Sequence, residues 1–175
     1  CREENDCFGI NLYMVGNDNV VRFNTTHDQH IFSDAEVDPP GFAERSGGIR
    51  FDGDLNFGVT DKTGNEIYGN IIYNEYEGIQ VFNYSNVRVF NNTLHNMQRA
   101  GINVSSYHVT GTANNNVFKN NIIHTAGEQL VRESLTSGTV FDHNLYYPDG
   151  TEAFNHDSTR MDFVHWQTET GHDPA

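Results

Sequence analysis

A short pattern recurs five times along the chain, and each copy carries an asparagine flanked by apolar residues at fixed distances. The asparagines that align the copies are Asn24, Asn70, Asn92, Asn121 and Asn144. Three residues before them stand Val21, Ile67, Val89, Phe118 and Phe141. Two residues after them stand Thr26, Ile72, Leu94, Ile123 and Tyr146. Self-similarity of this kind is the signature of a repeat architecture, in which each unit packs only on its neighbours.

A second block precedes four of the five copies, and in it apolar residues alternate with polar ones. It reads GINL at 9–12, GIRF at 48–51, GIQV at 78–81 and GINV at 101–104. A period of two is typical of a β-strand. The asparagines are 46, 22, 29 and 23 residues apart, which fits a coil of about 22 residues with insertions. One short strand would leave most of such a coil as loop, so we predict two or three strands in each.

Stacking these coils places each strand parallel to its copy in the next coil, about 4.8 Å away, with the apolar columns pointing inward. The asparagine column fits left-handed turns whose side-chain amides hydrogen-bond from coil to coil. A leucine-rich repeat has a similar period but needs leucine where isoleucine, valine and phenylalanine dominate here. The sequence therefore predicts an all-β fold, a parallel β-helix of about five coils.

The pattern predicts a single domain over residues 1–175, because the repeats run through most of it. Residues 1–8 precede the first block and are expected to form an N-terminal tail. Two stretches interrupt the coils, and we expect inserted loops at 28–47 and 52–64. In solenoids, insertions gather on one face, which is often the binding face.

Residues 158–170 are predicted to form a short C-terminal helix. Ser158 or Thr159 can cap its first turn, and Gly171 can end it. Met161, Phe163, Val164 and Trp166 give it apolar surface. Lying over the last coil, this helix would cover the open end of the core, as solenoids require.

The charge balance restricts the partners of the chain. It contains 24 acidic and 10 basic residues, for a formal net charge of −14. Such a chain repels nucleic acid and anionic membranes, and no apolar run approaches the roughly 20 residues of a membrane span. Acidic surfaces suit an extracellular, cell-surface or periplasmic protein, and they can bind Ca²⁺. Cys1 and Cys7 can form a local disulfide or remain free thiols.

The chain resembles the right-handed parallel β-helix proteins related to polysaccharide lyases and epimerases. The resemblance rests on the GI-containing blocks, on NEIYGNIIYN, VFNNTLHN and VFKNNIIH, and on the ending DHNLYYPDG…FVHWQTETGHD. It covers residues 9–173. It implies a right-handed solenoid and a carbohydrate-related function, and enzymes of this class usually have more coils.

One further column of residues carries the most specific functional prediction. Three residues after each aligned asparagine stand rings, which are His27, Tyr73, His95, His124 and Tyr147. If the preceding column faces the core, these rings form one exposed file. Sugars bind to such rows through ring faces and polar tips. The alternative is that the rings stack only to stabilise the solenoid.

Candidate catalytic residues lie on or beside the insertions. A lyase that eliminates at a uronate must neutralise the carboxylate and abstract a proton. Arg50 can neutralise, Lys62 or His27 can serve as the base, and Asp52 with Asp54 can hold Ca²⁺. A glycosidase would instead use a carboxylate pair such as Asp52 and Asp54. A solvated acidic loop explains the same residues without any catalysis.

Two functions therefore remain open. The first is an extracellular protein that binds or processes a polysaccharide, which can itself be acidic. The second is a non-catalytic β-helix module that forms part of a surface assembly. The predicted N-terminal coil leaves strand edges exposed, and such edges pair with other chains. We expect either a homodimer through that coil or a fragment whose missing segment covers it.

Overall fold

Three long parallel sheets and a terminal helix make up the computed structural model, which describes residues 6–28, 45–53, 60–106, 113–148 and 150–174. The first strands are β1 (Asp6–Tyr13), β2 (Val20–Arg22), β3 (Thr25–His27), β4 (Arg45–Asp52), β5 (Thr60–Asp61), β6 (Glu66–Tyr68), β7 (Ile71–Tyr73), β8 (Glu77–Phe82), β9 (Tyr84–Ser85), β10 (Arg88–Phe90) and β11 (Thr93–Met97). They are followed by β12 (Ala100–Ser105), β13 (Ala113–Asn114), β14 (Val117–Lys119), β15 (Ile122–Ala126), β16 (Gln129–Ser134), β17 (Thr136–Ser137), β18 (Val140–Asp142), β19 (Leu145–Tyr147), β20 (Phe154–His156), β21 (Thr159–Met161) and α1 (Phe163–Thr170).

Each coil of the chain crosses the three sheets in turn. The first sheet has the order β1-β4-β8-β12-β16-β20-β21, the second contains β2-β6-β10-β14-β18, and the third contains β3-β7-β11-β15-β19. Short pairs, β5 with β9 and β13 with β17, add a fourth strand to some coils. Pairing is parallel except between β20 and β21. The prediction of an all-β solenoid with about five coils is confirmed.

The alignment of the repeats predicted the strand register correctly. Val21 pairs with Ile67, Ile67 with Val89, and the column continues through Phe118 to Phe141. The column at Thr26, Ile72, Leu94, Ile123 and Tyr146 is in register in the same way. Both columns point inward, so the residues that repeat in the sequence are those that fill the core.

The glycine of each GI block lets the first sheet approach the third. Ile49, Ile79 and Ile102 are paired in register and fully buried. A Cβ atom on Gly78 would overlap Leu94, and one on Gly101 would overlap Ile123. Only glycine leaves room for these core side chains.

The aligned asparagines form a continuous hydrogen-bonded ladder, as predicted. Each side-chain Nδ2 donates to the Oδ1 of the next asparagine, for example from Asn70 to Asn92 at 2.9 Å and from Asn92 to Asn121 at 3.0 Å. The ladder asparagines are not themselves left-handed, and in this detail the prediction is wrong. The preceding residue takes the positive φ, as at Phe23 (55°) and His143 (56°). This turn aims the next side chain along the solenoid axis.

The C-terminal helix α1 is present but begins later than predicted. Residues 159–161 form β21, which pairs antiparallel with β20, so the helix cannot start at Ser158. Asp162 is its N-cap and accepts a hydrogen bond from the His165 backbone N–H at 2.8 Å. Gly171, at φ 73°, ends it as expected. Trp166 is fully buried and covers the last coil.

The tail and the loops are shorter than predicted where the structure describes them. β1 already begins at Asp6, β4 begins at Arg45, and β5 occupies part of the second insertion. Residues 1–5, 29–44 and 54–59 lie outside the described part, and with them Asp54 and Cys1. No helix among the described residues is long and apolar enough to cross a membrane.

Candidate functional site

Five rings on successive coils form one column on the outer face of the third sheet, which we call the ring column. Its members are His27, Tyr73, His95, His124 and Tyr147. The neighbouring residue of each strand points into the core, so the rings point outward. The side chain of His27 is 47% exposed, and Tyr147 is 60% exposed. The structure therefore brings together all five residues of the predicted file.

Two neighbouring pairs of the ring column stack along the solenoid axis. The centroids of His27 and Tyr73 are 4.8 Å apart with the planes 3° from parallel, and those of His124 and Tyr147 are 5.2 Å apart at 21°. Stacking covers the ring faces between neighbours and leaves the edges exposed. A ligand on this surface meets phenol hydroxyls and imidazole nitrogens at the ring edges, whereas in the two stacked pairs each facing ring surface is covered by the neighbouring ring.

Two further columns border the ring column. On one side lies the column of Thr25, Ile71, Thr93, Ile122 and Leu145, in which Ile71, Ile122 and Leu145 are 50%, 42% and 58% exposed. On the other side Asn96 Nδ2 donates to Asn74 Oδ1 at 2.8 Å, and Asn74 Nδ2 donates to Asp28 Oδ1 at 2.9 Å. The surface thus offers a column of apolar and threonine side chains, a row of polar ring edges and a row of amides, all parallel to the axis.

Asp28 ends this amide row beside the first ring. Its Oδ2 is 2.8 Å from His27 Nδ1. Hydrogen bonds from His27, and then from Asn74, lower the pKa of the Asp28 carboxyl. The carboxylate is therefore ionised near neutral pH and is held beside the ring column as an acceptor.

The candidate catalytic residues do not converge on one place. Arg50 lies on β4 of the first sheet, His27 lies on β3 of the third sheet, and Lys62 is exposed just after β5. Arg50 is 4% exposed, and its Nη2 is 2.5 Å from Asp52 Oδ2. The Arg50 guanidinium also lies over the ring of Phe82, 5.3 Å from its centroid.

These positions bear differently on the predicted roles. Arg50 and Asp52 form an ion pair with each other. Neutralising a substrate carboxylate or binding Ca²⁺ would therefore require this ion pair to break. Asp54 lies outside the described residues. Within the described ranges, no group of three or more His, Cys, Asp or Glu side chains is placed to hold a metal ion. The catalytic and calcium roles stay predictions.

Sequence reasoning missed a buried ion network on the first sheet. Glu77 is 1% exposed and accepts hydrogen bonds from Asn103 Nδ2 at 3.0 and 3.1 Å. Its Oε1 is 3.4 Å from Arg99 Nη1 and 4.0 Å from Arg132 Nη1. Burial raises the pKa of the Glu77 carboxyl, and Arg99 opposes that rise. The network joins β8, β12 and β16, whereas in sequence Glu77 reads as an ordinary residue before a GI block.

A second buried carboxylate lies at the C-terminal end of the solenoid. Glu133 Oε2 is 3.1 Å from His172 Nε2 and 3.4 Å from His156 Nδ1. Thr136 Oγ1 donates to Glu133 Oε1 at 2.5 Å. Burial alone would raise the pKa of Glu133, but the bonds from His172 and Thr136 outweigh it and lower that pKa. The residue is missed in sequence because its partner, His172, lies beyond the repeats.

Comparison with known proteins identifies the architecture. The model of one protein family, described as a right handed beta helix region, matches residues 48–162. A search of curated proteins and a search of solved structures each gave no significant match.

Proposed function

Since the chain belongs to the right-handed β-helix family, we propose that it is an extracellular or cell-surface protein that binds a polysaccharide along the ring column. One observation carries the proposal. Five ring residues, in register on consecutive coils, present their polar edges on one outer face. A column that repeats with the coils suits a ligand that is itself a repeating chain.

The neighbouring columns support a carbohydrate ligand in particular. Sugar rings carry hydroxyls at their edges and C–H patches on their faces, and binding sites for them combine polar and apolar groups. Tyr73 and Tyr147 offer hydroxyls, the three histidines offer ring nitrogens, and Ile71 and Ile122 offer exposed apolar surface beside them. The net charge of −14 favours an uncharged glycan, because a polyanion would be repelled unless Ca²⁺ bridged it.

The direct test is affinity electrophoresis through gels that contain single polysaccharides. His95→Ala and Tyr73→Ala should reduce retardation while leaving the melting temperature nearly unchanged. Tyr68→Ala is the matched control, since Tyr68 stacks on Phe90 at 4.7 Å in the neighbouring second sheet. Retardation that Tyr68→Ala reduces as much as Tyr73→Ala would contradict the proposal. Early melting of both ring variants would show that the rings only stabilise the solenoid.

Processing of the glycan is a separate question with its own measurement. A lyase acting on pectate, alginate or a glycosaminoglycan forms an unsaturated uronate, which absorbs in the ultraviolet. Turnover that is lost in Arg50→Gln, Lys62→Gln or His27→Gln would assign these residues to catalysis. Binding without any absorbance change would leave a glycan-binding module, and no binding at all would favour the structural surface module.

The proposed partners also include a second copy of the chain. β1, β2 and β3 each stand at one edge of their sheet, and Ile10, Leu12 and Val15 are half-buried beside the core. A sheet edge that no other segment covers can accept another strand. We propose a homodimer that meets through this N-terminal coil.

A further inference from the structure

Two neighbouring rings of the ring column, His95 and His124, converge in a way that the other measured pairs do not. They stand directly opposite each other on β11 and β15. Their centroids are 4.9 Å apart with the planes tilted by 39°, whereas the His27 and Tyr73 planes are 3° from parallel. The two Nδ1 atoms are 2.9 Å apart. The rings therefore lean towards each other along the edges that carry Nδ1.

We infer that His95 and His124 form a two-imidazole site for a divalent transition metal ion, with water completing the coordination. Imidazole nitrogens bind such ions at roughly 2.0–2.1 Å. At that bond length, nitrogens 2.9 Å apart subtend an angle of about 90° at the metal, while a tetrahedral ion would need about 3.4 Å between them. An angle of about 90° is that of neighbouring ligands in tetragonal or octahedral coordination, which Cu²⁺ and Ni²⁺ adopt.

The metal would replace a shared proton. Without metal, the 2.9 Å separation fits a hydrogen bond in which one Nδ1–H donates to the other Nδ1. On binding, the donor loses its Nδ1 proton to water and its Nε2 takes one from water, so both Nδ1 lone pairs face the ion and no net proton is released. Ca²⁺ is a poor fit, because it prefers oxygen ligands.

The surroundings favour a weak, exchangeable site. His95 is exposed, so an ion reaches it from solvent. Among the residues that the structure describes, no group of three or more His, Cys, Asp or Glu side chains is placed to hold a metal ion, so the site consists of two imidazoles and binds the ion weakly. This metal site does not depend on glycan binding, and its test contains no glycan.

Calorimetric titration of the whole chain with Ni²⁺ tests the site. Cys1 and Cys7 are first alkylated, because thiolates bind soft metals. His95→Gln and His124→Gln should each weaken one Ni²⁺ site by about tenfold or more, since a chelating pair becomes a single ligand. The double variant should bind more weakly than either single variant, but its loss should be smaller than the sum of the two single losses, because each single variant has already lost the chelate. His143→Gln, which changes an exposed histidine whose neighbour in the preceding coil is Asn120, should bind as the unchanged chain does.

Electron paramagnetic resonance with Cu²⁺ gives an independent readout. Two nitrogen couplings are expected from the unchanged chain, and at most one from either single variant. Single variants that bind Ni²⁺ like the unchanged chain would overturn the inference. Losses that simply add in the double variant would overturn it too, because they would indicate two separate histidines.

Discussion

Asn92 shows how a single side chain ties three coils together. Its Oδ1 accepts from the Asn70 backbone N–H at 3.0 Å and from Asn70 Nδ2 at 2.9 Å. Its Nδ2 donates to Asn121 Oδ1 and to the backbone carbonyls of Ile67 and Phe90. Asn92 is 1% exposed, so none of these groups can turn to water instead. Only an amide of this length supplies both the acceptor and the donor.

Replacing Asn92 should therefore be costly. We expect Asn92→Ala to lower the free energy of unfolding by roughly 3 kcal/mol, since a buried polar group that loses its partner costs about 1–3 kcal/mol. Urea unfolding measures the change. Asn24→Ala is the comparison, because Asn24 belongs to the same ladder but is only half-buried, and its effect should be smaller. If both variants lost almost none of the free energy of unfolding, the ladder would not contribute measurably to stability.

The ladder continues past Asn144 to an aspartate. Asp173 Oδ1 accepts from the Asn144 backbone N–H at 2.9 Å, and its Oδ2 accepts from Asn144 Nδ2 at 3.2 Å and from the Tyr146 hydroxyl at 2.7 Å. Both oxygens thus face donors. A carboxylate fits here because it only accepts.

Asp173→Asn tests this acceptor-only position. The variant has nearly the same shape, but it places an amide N–H₂ against Asn144 Nδ2 or against the Asn144 backbone N–H. We expect a loss of roughly 1–3 kcal/mol in the free energy of unfolding. Asp157→Asn, a change at an exposed aspartate, should stay within about 0.5 kcal/mol. An Asp173→Asn variant as stable as the unchanged chain would show that the charge and the donor pattern do not matter.

At the scale of elements, the segment after α1 closes the solenoid. His172 is 8% exposed, its ring lies 5.1 Å from those of Phe141 and Trp166, and its Nε2 reaches Glu133 on β16. The segment therefore connects the helix to the last coils through the contact between His172 and the buried Glu133 carboxylate. The contact depends on the ionisation of Glu133.

Glu133 should make stability depend on pH in the acid range. Its folded pKa lies below the ordinary value of 4.5, because bonds from His172 and Thr136 outweigh burial. A lowered carboxyl pKa gives stability that is present above the unfolded pKa and lost as the pH falls through the folded pKa. Glu133→Gln should therefore be less stable than the unchanged chain at pH 7, and the difference should shrink on acidification. Urea midpoints across this range measure it, with the exposed Glu152→Gln as the control.

The helix itself shows where sequence prediction succeeds and fails for elements. Gly171 and the apolar residues correctly indicated a helix that ends at Thr170. Its start was placed too early because Ser158 and Asp162 both have side chains that can cap a helix. Phe154 pairs with Met161 across a turn, so residues 159–161 form a strand and the helix begins only after Asp162. The helix propensity of single residues does not show such a pairing.

For the whole molecule, the coils and their register could be predicted because each coil repeats the same contacts. The sixth strand of the first sheet, β20, could not be predicted from the repeat, because no aligned asparagine follows Phe154. The position of the ring column could be predicted, because side chains alternate between the two faces of a strand and the strands were already aligned by the repeat. The stacking of the rings could not be predicted, because side-chain rotation is set by neighbouring coils. The Glu77 network could not be predicted for the same reason, because its residues, Glu77 included, come from three coils.

The proposed dimer is a prediction for the whole molecule. Light scattering should show a dimer that becomes a monomer when Ile10 or Leu12 is replaced by lysine, because a charge would then lie in the proposed contact. Tyr13→Lys is the control, since Tyr13 lies on the same strand but is 55% exposed. Circular dichroism should confirm that all three variants stay folded. A monomer at high concentration of the unchanged chain would rule the dimer out.

The ladder and the strand pairing have a mechanical consequence. The hydrogen bonds between coils run along the solenoid axis, so a force that pulls its two ends apart loads the coil boundaries in series. The weakest boundary opens first, and the chain then unravels one coil at a time. A coil such as Asn70 to Asn92, 22 residues along the chain, releases about 70 Å when extended at roughly 3.3–3.6 Å per residue. Under a force applied to its two ends, the molecule would therefore lengthen in discrete steps, each corresponding to the opening of one coil.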